Sequence, residues 1–316
     1  MSKYQNFIGI DIGKFNFVVG LHTNKKSQEY ENNPKGIKAF LKDFKHELPS
    51  SLVVLETTGG YEMKLLLTLC DKLYTVHRAN TRKVKSFIRS FGNVAKTDAL
   101  DAKALAQYGY ERQDQLDLYA PPPEEFVTLY ELVQRRKDLK QMLVAEKNRI
   151  KAPKASSYIK ESCAFVIKTL TEHIKQLSRE IEELIEANTT LKKRQNILVT
   201  IPGIGKGVSE SLLALMPELG TLTRKQVASL AGVAPRANDS GKFKGYRHTG
   251  AGRDIIKPAL FLAAMAARRS HSPLKAFYEK LIANGKKKMV ALTALMRKII
   301  VIANAKLKSL DLELPT

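Results

Sequence analysis

The spacing of hydrophobic and polar positions changes character twice along the chain. In the first third, short apolar runs alternate with stretches whose apolar residues recur every three or four positions. Residues 7–12 predict a strand, residues 15–21 its hairpin partner, and residues 27–31 a third strand. Residues 34–48 predict a helix, with Pro34 at its start and Ile37, Phe40, Leu41 and Phe44 on one face. The unbroken apolar run 52–55 suits a buried parallel strand. A helix over 61–73, a strand over 74–77 and helices beginning near 81 and 98 follow. Three antiparallel strands and then αβαβα is the order of a ribonuclease-H-like domain, expected over residues 1–120.

Pro121, Pro122 and Pro123 then interrupt the pattern and mark a linker. Beyond them, 124–150 predicts one long helix and 158–194 a second. In the second, Cys163, Ile167, Leu170, Ile174, Leu177, Ile181, Leu184, Asn188 and Leu191 step by four and three, the seam of a coiled coil. The first carries a rougher seam of Leu129, Leu132, Leu139, Leu143 and Ile150. A coiled-coil connector is therefore expected over 121–195, either as a hairpin joined through 151–157 or as a contact between two copies. Asn188 in the seam would fix its register, because an apolar partner leaves the amide unpaired. From 196 to 316 the pattern is all-α: a turn at 201–206 leads into a helix through 216, and helices are expected at 223–231, 252–269, 274–283 and 286–308.

Charge narrows the function. The chain carries 53 Lys and Arg against 31 Asp and Glu, a net +22, which suits a polyanionic partner. Residues 196–316 hold 20 basic and 7 acidic side chains, whereas residues 1–120 hold 18 and 13. Polyanion affinity thus concentrates in the last third and acids in the first. The hydrophobic content of 44% excludes wholesale disorder, no apolar run approaches the roughly 18 residues of a membrane span, and the first residues lack a signal-peptide layout. Cys70 and Cys163 read as reduced core thiols of a cytoplasmic protein, and the six scattered histidines give no zinc spacing.

Four acids stand out at the ends of elements. Asp11 alternates in its strand with Phe7 and Gly9, away from Ile8, Ile10 and Ile12, in a setting that tolerates Asp poorly. Glu56 ends the run 52–55, before Thr57-Thr58-Gly59-Gly60. Asp98 and Asp101 share one helical face. Each has a plainer reading: a turn residue for Asp11, a solvated strand end for Glu56, and an N-cap with a first-turn acid for Asp98 and Asp101. Together they fit a site for two Mg²⁺ ions acting on a phosphodiester. Asp11-Ile12-Gly13 also resembles the first phosphate loop of sugar kinases and actin-like ATPases, but the later loops of that fold have no counterpart here.

In the basic third, Pro202-Gly203-Ile204-Gly205-Lys206 matches a helix-hairpin-helix turn, whose glycines and opening N–H groups can grip a phosphate. Arg236, Lys242, Lys244, Arg247 and Arg253 follow within eighteen residues, interleaved with Phe243 and Tyr246, as a nucleic-acid contact requires. Among them Asn238-Asp239-Ser240-Gly241 reads either as a simple turn or as the seat of a serine nucleophile flanked by cations. His248 is the one nearby histidine that could act as its base.

Read together, these segments resemble the DEDD transposases of the insertion-sequence-110 type, understood as bridge-RNA-guided serine recombinases. The resemblance is carried by Gly9-Ile10-Asp11-Ile12-Gly13, Leu55-Glu56-Thr57-Thr58-Gly59, Lys96-Thr97-Asp98-Ala99-Leu100-Asp101-Ala102, Ile201-Pro202-Gly203-Ile204-Gly205 and Gly232-Val233-Ala234-Pro235-Arg236 running to Ser240-Gly241. It implies a resolvase-like (RuvC-like) first domain in which Asp11, Glu56, Asp98 and Asp101 bind Mg²⁺. It also implies that Ser240 attacks DNA to form a phosphoserine intermediate. Donor and target DNA, a structured guide RNA, dimers assembling to a tetramer and a nucleoid-associated place in a prokaryotic cell are further implications. Two other expectations stand beside it: a junction endonuclease using the tetrad alone, and a non-catalytic nucleic-acid scaffold.

Overall fold

A computed structural model describes residues 3–24, 26–92, 97–153, 156–241 and 243–313. The chain divides into two compact units, Met1–Pro121 and Pro122–Thr316. In the first, strands β1 (Asn6–Ile12), β2 (Asn16–Leu21), β3 (Ser27–Glu31), β4 (Ser51–Glu56) and β5 (Thr75–Ala79) form one sheet in the order β3-β2-β1-β4-β5. The β1–β2 and β2–β3 pairs are antiparallel, and the β1–β4 and β4–β5 pairs parallel. The period-two pattern of the strands decides what each face carries. Ile8, Ile10, Val53 and Leu55 join one core with Phe40 of α1 (Pro34–Asp43) and Leu66 of α2 (Met63–Asp71). Phe7, Leu52 and Val54 turn to the opposite face and pack with Phe87 of α3 (Thr81–Ser90) and with Leu105 and Tyr108 of α4 (Asp98–Arg112).

The second unit begins with α5 (Glu124–Ile150) and α6 (Ser157–Ala187), which pack antiparallel within the chain. Asn188 Nδ2 donates to Glu125 Oε1 at 3.3 Å, and Arg136 Nη1 to Ser178 Oγ at 3.4 Å. The expected helix 158–194 is broken at Asn188, whose carboxamide accepts from Leu191 N–H and caps α7 (Thr189–Val199). A capping side chain competes with helix continuation, so the residue placed in the seam by its spacing instead ends it. Leu129, Ile181, Ile185 and Leu191 share a core with α8 (Lys206–Leu215), α9 (Arg224–Leu230), α10 (Lys257–Ala267), α11 (Pro273–Ala283) and α12 (Lys288–Glu313). A buried pair, Arg136 Nη2 to Glu210 Oε2 at 2.6 Å, fastens α5 to α8.

The all-α expectation for 196–316 needs one correction. Between α9 and α10 lie four short strands, β6 (Pro235–Arg236), β7 (Asp239–Ser240), β8 (Phe243–Lys244) and β9 (His248–Thr249). β6 pairs with β9 and β7 with β8, both antiparallel. Gly241 turns the tip at φ +53°, and a side chain on Gly245 would meet the Asn238 carbonyl. These glycines and the scarcity of apolar residues remove the helical pattern here. Cys70 and Cys163 are free thiols, and among the described residues no helix is long and apolar enough to cross a membrane.

Candidate functional site

The parallel β1–β4 pair sets the first half of the site. Ile10 is in register with Leu55, so Asp11 and Glu56 are the next neighbours at the C-terminal ends of the two central strands. Strand alternation puts both on the face that α4 covers. Helix α4 runs against β1. Gly109 lies over Val54 and Phe7, a Cβ there meeting Val54 Cγ2 at 2.8 Å, while Ala102 and Ala106 press on Gly9 so closely that no side chain fits. The first turn of α4, with Asp98 and Asp101, therefore comes to the same sheet end as Asp11 and Glu56.

Asp98 is exposed and Asp101, Asp11 and Glu56 are half-buried. The capping role considered for Asp98 belongs to Thr97, which accepts from Leu100 N–H at 3.3 Å, leaving Asp98 and Asp101 in the first turn. Lys96 lies outside the described residues. Among the described residues no three His, Cys, Asp or Glu side chains close into a metal-binding cluster. The donor set nevertheless suits Mg²⁺, which uses one or two carboxylates and completes its octahedron with water and phosphate oxygens. Carboxylates on two adjacent strand ends meet that requirement.

Residues absent from the sequence-level site hold this end together. Glu62 is fully buried, and its Oε2 accepts from Thr58 N–H (3.2 Å), Thr58 Oγ1 (2.9 Å) and Gly60 N–H (3.0 Å). Its Oε1 accepts from Arg78 Nη2 at 2.5 Å and Nε at 3.2 Å. Burial alone would push this carboxyl up; the bonds from Arg78, its own backbone and Thr58 outweigh burial and hold it at about 2. The loop after Glu56 is thereby fixed, with Gly59 at φ +76° and Gly60 at φ +114°. Its other end is held by Thr57 N–H to Ala79 O (3.2 Å) and by Thr81 Oγ1 to Thr57 O (2.9 Å). Asn32 Nδ2 donates to both Gly13 O (3.0 Å) and Tyr61 O (3.1 Å), linking the turn after Asp11 to the loop after Glu56. A signal existed in the sequence: Glu62 is an acid four residues after Thr58 that opens the apolar stretch 63–70.

In the second unit Ser240 is exposed on β7, opposite Phe243. Among the described residues no side chain is hydrogen-bonded to its hydroxyl, and His248 lies in β9 opposite Arg236. Arg247 Nη1 grips both oxygens of Asp239 at 2.8 Å, bracing the hairpin beside the serine. Arg236 and Lys244 are exposed, and Lys242 lies outside the described residues. Arg253, also expected to contact nucleic acid, is tied into the protein. It donates to Leu215 O at 2.8 Å and pairs with Glu218, anchoring the base of the hairpin. Gly203 (φ +93°) packs on α10, where a Cβ would meet that of Ala267 at 2.9 Å; Gly205 caps α8 with open space around it. Lys206 Nζ stands 3.3 Å from Glu182 of α6.

Comparison with known proteins finds relatives of both units. Residues 8–153 match the family model of the IS110-type DEDD transposases, and residues 195–279 match the transposase model of the IS116/IS110/IS902 family. The pilin gene-inverting protein of Moraxella lacunata is 30% identical over 314 residues, covering 96% of each chain. Its counterpart in Moraxella bovis is 29% identical over the same length, again covering 96% of each. An uncharacterized 43.6 kDa protein of insertion element IS110 from Streptomyces coelicolor is 29% identical over 150 residues, 46% of this chain and 36% of that one. Two family models spanning most of the chain, with relatives aligned almost end to end, place it among the IS110-type transposases, a family of enzymes that act on DNA.

Proposed function

We propose that this chain cuts and exchanges DNA strands through a covalent serine intermediate, with four acids of the first unit as metal ligands and Ser240 of the second as the nucleophile. The observation that carries this reading is the arrival of Asp11, Glu56 and the first turn of α4 at one end and one face of the sheet. In this reading the sheet unit is a ribonuclease-H-like (RuvC-like) domain, and Asp11, Glu56, Asp98 and Asp101 hold Mg²⁺. Bound there, Mg²⁺ supplies positive charge to the phosphodiester and to the leaving oxygen. Ser240 Oγ attacks phosphorus. The Oγ–P bond forms as the hydroxyl proton passes to solvent, and the scissile P–O bond breaks to release a protonated deoxyribose oxygen. A second strand's hydroxyl then displaces serine and restores it. Exposure of Ser240 at a hairpin tip suits attack on a strand of DNA.

The α5–α6 hairpin serves as the coiled-coil element through which copies assemble. The turn at 201–206 acts as a helix-hairpin-helix phosphate contact, with Gly203, Gly205 and Lys206 at its centre. Arg236, Lys242, Lys244 and Arg247 supply the cationic surface around the serine. A structured guide RNA fits the excess of positive charge in residues 196–316. Gene inversion, the activity named for the Moraxella relatives, is itself a recombination of DNA.

The test is recombination between donor and target DNA with purified variants. Ser240→Ala and Asp11→Asn are each expected to abolish strand exchange, and wild-type exchange by either would sink the assignment. A junction nuclease using the acids alone would instead keep cleaving DNA after Ser240→Ala.

A further inference from the structure

The base of the Ser240 hairpin borders a cavity of about 670 Å³ that the steps above do not use. Its lining is largely apolar and includes Phe277 of α11 with Ala294 and Val301 of α12. Four cations ring it: Arg224 at the start of α9, Arg247 just before β9, and Arg297 and Lys298 of α12. No acid lines it among the described residues. Lys298 Nζ lies over the Phe277 ring, 4.7 Å from its centre, in a cation–π contact. Met289 and Val290 are exposed beside it. Pro235 and Thr249, paired across β6 and β9, close the side nearest the serine hairpin.

An apolar lining beside Arg224, Arg297 and Lys298, with Arg247 already paired to Asp239, matches a ligand that is flat and apolar at one end and anionic at the other. A nucleotide has that build. The volume lies in the range of small-ligand pockets, and aromatic side chains bind unpaired bases without regard to sequence. A paired base in a duplex could not enter. We infer that this cavity receives an unpaired nucleobase of the bound nucleic acid, with the flanking phosphates on Arg224, Arg297 and Lys298. Arg247, gripped by Asp239, connects an occupied cavity to the hairpin that carries Ser240. The inference rests on the proposed function only in taking nucleic acid as the ligand.

A single-stranded oligomer of 5-bromodeoxyuridine, bound to the full chain and irradiated, tests it by mass-spectrometric mapping of the crosslinks. A crosslink at Phe277 or Met289 is expected from the single strand and not from the fully paired duplex. Ala294→Phe intrudes on the cavity and is expected to reduce that crosslink about tenfold, leaving crosslinks elsewhere unchanged. Arg297→Gln with Lys298→Gln leaves the cavity open, removes the phosphate seats and is expected to reduce the same crosslink roughly tenfold. The inference is overturned if crosslinks fall only elsewhere, if the duplex labels the cavity equally, or if neither variant weakens the label. It is also overturned if Ala294→Phe changes the sedimentation of the protein alone, because a second copy would then be the occupant. Ser240→Ala leaves the crosslink map intact whether or not serine is the nucleophile, so failure here and failure of the proposed chemistry are distinguishable.

Discussion

Glu62→Gln isolates the contact that fixes the loop after Glu56. The substitution keeps the volume and removes the charge. An amide can still accept from Thr58 and Gly60, but its NH₂ then faces the Arg78 guanidinium, donor against donor. The free carboxyl titrates at 4.5 and the folded one at about 2, so the ionised form favours the fold by about 3 kcal/mol. Glu62 has no solvent contact, whereas Arg78 is partly exposed, so the loss should fall at or below the 3–5 kcal/mol typical of breaking a buried pair, at about 2–4 kcal/mol. The sign with pH follows from the depressed value. Stability from this group is complete above about pH 4.5 and is lost as the pH falls toward 2. Wild type and variant should therefore differ most at neutral pH, with the gap reduced by about half at pH 3 and closed only near pH 2 or below. Hydrogen exchange of β4 and β5 amides across a urea series, at pH 7, 5 and 3, measures the difference within the first unit alone. A gap under about 1 kcal/mol at pH 7, or one that does not shrink with acid, would refute the reasoning.

Other consequences can be checked separately. Glu210→Gln leaves Arg136 buried without its partner and should destabilise the second unit by about 3–5 kcal/mol, read by calorimetry. Gly203→Ala forces a left-handed backbone and a clash with α10; a loss of about 2–4 kcal/mol is expected in the same measurement. Thr97→Ala removes the cap of the turn bearing Asp98 and Asp101 and should cost about 1 kcal/mol, seen as faster exchange in the first turn of α4. Chelation of divalent ions should stop DNA cleavage, and added Mg²⁺ should restore it; cleavage persisting in chelator would remove the metal from the proposal.

Much of the sheet unit was legible because β1 and β4 are buried on both faces and α1 on one, so burial left clear apolar patterns on 7–12, 34–48 and 52–55. Bounds slipped where local chemistry overrode period. The helix expected over 34–48 stops at Asp43, before a 3₁₀ turn at Leu48–Ser50 that contains Pro49, and that over 61–73 starts at Met63 after two left-handed glycines. Asn188 shows the same conflict, its heptad spacing yielding to its capping bond. The strands at 235–249 leave no pattern in the sequence because two-residue ladders bury too little. At the candidate site the acids were visible as charges out of place. Arg78 and Asn32 were not, because their role depends on segments that meet only in the fold, and Glu62 left only the faint signal of an acid opening an apolar stretch.

The central claim is that Ser240 becomes covalently joined to DNA. Incubating the full chain with Mg²⁺, guide RNA and labelled substrate, quenching in denaturant and mapping the adduct by mass spectrometry addresses it directly. A nucleotide phosphate on Ser240, absent from Ser240→Ala and from Asp11→Asn, is the predicted result. Strand exchange by the wild type with no adduct, or with the phosphate on another side chain, would contradict it.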